Sequence, residues 1–133
     1  MNRLKWWFRI VGIFYILLGI GFIPALNSMR LNKMLPNFDA PIGGVAYHGL
    51  LDFSFMFGLD LLITGAFLLH FSGNPLKYSW FVWFIVALEI VRGIIDDLYM
   101  IISGYEAPFF IIFIIVHLII IVTGILFLKK ERI

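Results

Sequence analysis

The stretch that decides the fold is PFFIIFIIVHLIIIVTGILFL, residues 108–128. It carries no charged residue, and His117 is its single ionisable side chain. A hydrocarbon core about 30 Å thick is crossed by roughly 20 helical residues, so this run predicts a transmembrane helix. Membrane strands are short and alternate apolar with polar residues, which this continuous apolar run does not do.

Three further runs resemble it in length and character, at about residues 6–23, 46–69 and 79–102. The whole chain is 62% hydrophobic and 14% charged, whereas soluble domains carry about 25% charged residues. The sequence therefore predicts an all-α integral membrane protein. Its 133 residues form one domain, a bundle of four transmembrane helices.

The connections between these spans differ in length. Residues 71–77 and 103–108 are short and contain the helix breakers Gly and Pro. Residues 24–44, PALNSMRLNKMLPNFDAPIGG, predict a long extracytoplasmic loop between the first and second helices. Two interpretations of this loop stay open: a functional lid, or a surface loop that includes an amphipathic stretch.

The basic residues predict the orientation, because Lys and Arg are enriched in cytoplasmic loops. Four spans place seven of them on one side, and Arg30 and Lys33 on the other. Both termini are therefore expected in the cytoplasm, with the chain multi-pass in a bacterial inner membrane. The seven are Arg3, Lys5, Arg9, Lys77, Lys129, Lys130 and Arg132.

Composition also excludes several classes of protein. The net charge is only +2, and no basic patch with interleaved aromatic residues lies outside the spans, so nucleic acid is not an expected partner. The chain has no cysteine, which excludes disulfides and thiolate metal sites.

Charged residues inside the predicted spans indicate where function lies. Each one near the bilayer centre costs about 2.5–3.5 kcal/mol on insertion scales. Such residues persist where they pair with one another or line a cavity. One arginine faces five acids, which cannot all be ionised together in a medium of low dielectric constant. These residues are Asp52, Asp60, Glu89, Arg92, Asp96 and Asp97.

Helix geometry groups the charges of the third span. At about 100° per residue, Glu89, Arg92 and Asp96 fall on one face, which Tyr99 continues. Both acids are spaced to reach the arginine within the helix. Asp97 lies about 80–100° away from this face, and no role is predicted for it.

The depths of these groups predict contacts between helices. In the second span His48 and Asp52 are i, i+4 neighbours, and Asp60 follows eight residues later. A rise of about 1.5 Å per residue puts Asp52 level with Arg92, and His117 beside Glu89. These depths predict a polar pocket in the bundle core that opens outward beneath the long loop. Its candidate ligand-binding or proton-relay residues are Glu89, Arg92, Asp96, Asp52, His48, His117, Asp60 and Tyr99.

Three functions are compatible with such a pocket. The first is binding of a small amphipathic molecule, of quinone or lipid type, or relay of protons, as part of a membrane complex. The second is a membrane enzyme that uses His48 or His117 with a carboxyl group for acid–base chemistry. The third is a structural subunit or homo-oligomer held by ion pairs. The first is favoured over an enzyme because no nucleophile or phosphate-binding motif occurs.

No cofactor is required by this interpretation, and no metal site is expected. The ligand types are present, but the chain has no HxxxH, HxxE or ExxH spacing. Arg92 in the centre of the polar groups also disfavours a bound cation.

Two segments resemble a known group of proteins: RLKWWFRIVGIFYILLG, residues 3–19, and GLDLLITGAFLL, residues 58–69. They look like parts of the BphX-like family of small four-span bacterial membrane proteins, with the broader DoxX-like group behind it. The likeness covers most of the chain in layout. The DoxX-like group implies association with quinone-linked redox complexes, and no catalytic residue carries over to a position of this sequence.

Overall fold

The computed structural model describes residues 2–131, and this part of the chain is helical with no strand. Arg132, which enters the charge argument above, lies outside the described residues. The helices are α1 (Arg3–Gly21), α2 (Pro24–Met34), α3 (Val45–Phe71), α4 (Trp80–Leu88), the π-helix (Glu89–Ile95), α5 (Asp96–Ile102) and α6 (Ala107–Glu131). The π-helix, whose hydrogen bonds reach one residue further along the chain than those of an α-helix, follows α4 directly and precedes α5.

Within the described residues, three helices are long and apolar enough to cross a membrane: α1, α3 and α6. They match three of the four predicted spans. Residues 80–102, which make up all but the first residue of the remaining predicted span, are helical throughout, but they are divided by the π-helix and carry four charged residues.

The predicted long loop is partly helical. Its first half forms α2, an eleven-residue helix that begins at Pro24, where the missing proline N–H leaves no hydrogen bond unmade. Asn27 and Leu31 are buried on its inner face. Arg30 donates from Nε to Asn27 at 3.0 Å, and its guanidinium lies 4.5 Å from the centre of the Phe22 ring. Burial lowers the pKa of Arg30 from its ordinary value, but a guanidinium remains charged at any physiological pH.

The chain divides into two compact units, one of which is Arg9–His70. Here α1 and α3 approach through paired glycines. A Cβ on Gly65 would lie 2.7 Å from the carbonyl oxygen of Gly12, and a Cβ on Gly19 equally close to that of Gly58. Small residues allow such close backbone approach between membrane helices, where lipid supplies no hydrophobic driving force for association.

The other unit joins the start of α1 to the chain from Phe71 onward. Its core is formed by α6 packed against α4, the π-helix and α5. Trp7 at the start of α1 donates from Nε1 to the carbonyl oxygen of Ile120 at 3.2 Å. Its ring rests against Gly124, where a Cβ would come within 2.7 Å. In this unit the charged π-helix and α5 pack beside α6, the most apolar of the three long helices.

Candidate functional site

The candidate site lies where the π-helix and α5 pack against α6. π-Helices are rare, mostly occur as single turns inside α-helices, and are frequent at functional sites. This one begins at Glu89, which is buried to 3% exposure, and contains Arg92, which is half-buried. Gly93 in its middle is buried as well.

The π-helix changes which side chains of this segment face α6. Each π-turn contains one residue more than an α-turn, so the residues that follow are rotated back by about 100°. Asp97 thereby takes the direction that Asp96 has in a regular α-helix. Asp97 is buried and Asp96 is exposed. The prediction that Asp96 continues the face of Glu89 is wrong, because it assumes α-helical geometry throughout.

His117 of α6 lies between two carboxyl groups. Its Nδ1 is 2.6 Å from Oε2 of Glu89, a short hydrogen bond, and its Nε2 is 3.4 Å from Oδ2 of Asp97. The depth argument places His117 beside Glu89, and the two side chains are in contact. Which ring nitrogen carries the proton depends on the tautomer, because a neutral imidazole has one donor and one acceptor nitrogen.

Gly93 makes room for the imidazole ring. A Cβ at this position would lie 2.6 Å from both Cγ and Nδ1 of His117. Three residues spaced four positions apart therefore face the imidazole ring of His117: Glu89, Gly93 and Asp97. The glycine lies beneath the ring, with one acid on either side. We call Glu89, His117 and Asp97 the acid–histidine cluster.

Five of the remaining candidate residues are exposed within their own units. In the unit Arg9–His70, His48, Asp52 and Asp60 are all exposed on α3. On α5, Asp96 is exposed and Tyr99 is 66% exposed. The pairing of Asp52 with Arg92, and the binding of a quinone or lipid, stay predictions.

The acid–histidine cluster sets one carboxyl group against each nitrogen of a single imidazole ring. Within residues 2–131, no group of three histidine or acidic side chains is placed to hold a metal ion. The physical reason is that Glu89 and Asp97 approach different nitrogens of one ring. Their oxygens therefore do not converge with a single nitrogen on one point, as tetrahedral or octahedral coordination demands.

Sequence reasoning missed Asp97 and Gly93. The sequence feature that could have indicated Asp97 is the pair of adjacent acids, Asp96 and Asp97. One of the two faces the neighbouring helix whether or not the helix contains a π-turn. A glycine four residues before Asp97 is a second signal, since glycine in a helix interior is destabilising unless packing requires it.

A model of the BphX-like family matches residues 1–132 of the chain. The chain belongs to the BphX-like family. It is 29% identical over 108 residues to an uncharacterised BphX-like protein of Burkholderia cepacia, a match that covers 80% of this chain and 77% of the relative. An uncharacterised BphX-like protein of Paraburkholderia xenovorans (strain LB400) matches with the same identity and coverage. No solved structure matches, and the wider DoxX-like grouping stays a prediction.

Proposed function

We propose that this member of the family is a membrane-embedded proton relay, in which Glu89, His117 and Asp97 pass protons along the contact between α6 and the π-helix. One observation carries the proposal: each nitrogen of a single imidazole faces a different carboxyl group, at 2.6 and 3.4 Å. An imidazole that accepts a proton on one nitrogen can release a proton from the other. His117 can thus link two acids that do not touch each other.

The two acids lie at different heights along their helix. Asp97 follows Glu89 by eight residues, which is roughly 12 Å at about 1.5 Å per residue. This distance is about two fifths of a hydrocarbon core of about 30 Å. Ionisable residues within membrane spans commonly serve as proton relays, because an unpaired charge there is costly. The competing interpretation is that the cluster only holds two helices together.

Proton flux into liposomes distinguishes the two interpretations. The purified protein is reconstituted with a trapped pH-sensitive dye, and a potassium gradient with valinomycin drives proton entry. Glu89→Gln preserves the size of the side chain and a hydrogen bond to His117, but an amide does not exchange protons in this range. We expect the flux of this variant to fall to that of empty liposomes.

The matched control is Glu106→Gln, which makes the same chemical change at an exposed acid just before α6. Its flux should equal that of the unaltered protein. A Glu89→Gln variant that conducts at the full rate contradicts the relay. So does an unaltered protein whose flux equals that of empty liposomes, which is the result expected of purely structural ion pairs.

We further propose that the chain crosses the membrane four times, with both termini in the cytoplasm of a bacterial cell. Residues 80–102 would form the fourth crossing in addition to α1, α3 and α6. Support comes from their unbroken helical course and from the basic residues near the termini. Reporter fusions at the two ends test this, because four crossings place both reporters in the cytoplasm. Reporters on opposite sides of the membrane would indicate an odd number of crossings.

A further inference from the structure

Two adjacent acids follow the π-helix, and its extra residue decides which of them faces His117. Asp97 is buried beside the imidazole, whereas Asp96 is exposed. Neighbouring residues of a helix point about 100° apart. Removing the extra residue of the π-turn would rotate α5 by about that angle. Asp96 would then occupy the position that Asp97 holds in the structure.

We propose that Asp96 is a second acid partner of His117, which replaces Asp97 when the π-helix rewinds into an α-helix. In either register one aspartate faces His117 and the other faces outward. Glu89 precedes the rotation and keeps its place in both. The rotation therefore exchanges the two aspartates, whereas Glu89 and His117 keep their positions.

The composition of α5 permits this rotation. After the two acids it reads LYMII, residues 98–102, of which Leu98, Tyr99 and Ile102 are exposed large apolar residues. Met100 and Ile101 are half-buried. Rotation of α5 therefore replaces one apolar surface by another. Packing tolerates the replacement of apolar residues by others of similar volume.

The end of α5 can absorb the rotation. The helix has only seven residues, and Gly104 follows it with a φ of 94°. Glycine adopts positive and negative φ almost equally well, so the connection to α6 can change conformation at little cost. The moving part is thus a short helix between the π-helix and a glycine turn.

The exchange has a consequence for transport that rests on the relay proposed above. An outward-facing aspartate takes up a proton on a carboxylate oxygen. After rotation the carboxylic acid faces His117 and transfers that proton to Nε2, becoming a carboxylate again. His117 in turn releases a proton from Nδ1 to Glu89. Each step moves one proton between named atoms. His117 begins with its proton on Nδ1 and ends with a proton on Nε2, so the ring returns to the first tautomer before the next transfer.

Solid-state NMR distance measurement in bilayers tests the register change without any flux assay. Dephasing between the imidazole ¹⁵N of His117 and aspartate carboxyl ¹³C reports which acid is near. In Asp97→Ala, we expect a carboxyl contact with His117 to persist. It should vanish when Asp96→Asn is added, which assigns it to Asp96. Equal loss of contact in the single and double variants overturns the proposal.

If Asp97→Ala does not fold, Asp97→Asn serves the same purpose, because it retains the volume of the side chain and removes only the carboxyl group. The signal is restricted to aspartate carboxyl carbons, so neither Glu89 nor the amide carbon of the asparagine is counted. A contact that requires Asp96 supports the proposal, and the absence of any aspartate carboxyl contact overturns it.

Deletion of Val91 gives an independent test. Val91 lies in the π-helix and is 60% exposed, so its removal takes out the extra residue without emptying the core. Glu89 and Asp97 are then seven residues apart, two turns of a regular α-helix. Asp97 should keep its contact with His117, and Asp96 should be unable to replace it. Adding Asp97→Ala to this deletion must therefore abolish the carboxyl contact, and a contact that survives overturns the proposal.

Flux through the Val91 deletion separates the two proposals. A relay that depends on exchange of the aspartates loses its flux although Asp97 still contacts His117. Full flux in this variant overturns the exchange and leaves the relay intact. An unaltered protein without flux overturns the relay, while the NMR contacts still decide whether Asp96 replaces Asp97.

Discussion

Gly93→Ala should separate His117 from Glu89. The added Cβ would lie 2.6 Å from the ring, and ordinary contact begins at 3.4 Å, so the imidazole must retreat by about 0.8 Å. The hydrogen bond between Nδ1 and Oε2 is 2.6 Å long, and a displacement of that size moves a good hydrogen bond to the limit of its range. We expect the contact to be lost.

The magnitude follows from two opposing effects. Loss of a hydrogen bond to a charged group costs about 1.5–3 kcal/mol. Alanine in place of glycine gains about 1 kcal/mol in helix propensity. The free energy of unfolding should therefore fall by about 0.5–2 kcal/mol. Unfolding in detergent micelles with increasing dodecyl sulfate measures it, and the ¹H and ¹⁵N shifts of His117 report the hydrogen bond.

Gly49→Ala is the matched control, because Gly49 lies in α3 and a Cβ there meets nothing within 4 Å. It carries the gain in helix propensity without the clash and should leave stability unchanged or raise it. The reasoning is refuted if Gly93→Ala is as stable as Gly49→Ala and leaves the ¹⁵N shifts of His117 where they were.

Two further variants probe the packing of each unit. Gly65→Ala places a Cβ 2.7 Å from the carbonyl oxygen of Gly12. Overpacking of this kind costs about 1–3 kcal/mol, and the dodecyl sulfate titration should show this fall in the free energy of unfolding. Trp7→Phe removes the donor to the carbonyl of Ile120 and should cost about 0.5–1.5 kcal/mol, with the ring contact to Gly124 largely kept. A Gly65→Ala variant as stable as the unaltered protein would show that α1 and α3 can separate freely. Trp83→Phe, at a 50% exposed indole on α4, is the control for Trp7.

The helical course of the chain could be predicted from hydropathy because a lipid environment leaves few alternatives. Backbone N–H and C=O groups must be satisfied within the segment, so a long apolar run in a membrane becomes a helix. The apolar runs near residues 6–23, 46–69 and 108–128 correspond to α1, α3 and α6. The helix α2 was not predicted, because residues 24–34 include proline, asparagine, serine and two basic residues and are too polar for a membrane span. Its helix is supported by the burial of Asn27 and Leu31, which is a tertiary contact.

The site could be predicted only in part. The charges within residues 80–102 and the depth of His117 are properties of sequence and helix length, and they bring Glu89 and His117 to the same level. The roles of Asp96 and Asp97 could not be assigned, because the angle between side chains depends on the number of residues per turn. A single π-turn alters that number, and the hydrophobic pattern of the sequence does not reveal it.

The sequence by itself determined that this protein is helical and apolar and that it carries acids within its long apolar runs. Those properties follow from residue type alone, through the energy of transfer to hydrocarbon. Only the tertiary structure decided that Asp97 rather than Asp96 meets His117. That choice depends on the fit of an imidazole ring against Gly93 and on the extra residue of the π-helix. The first is a contact between residues 24 apart in the chain, and the second changes the direction of every side chain that follows it.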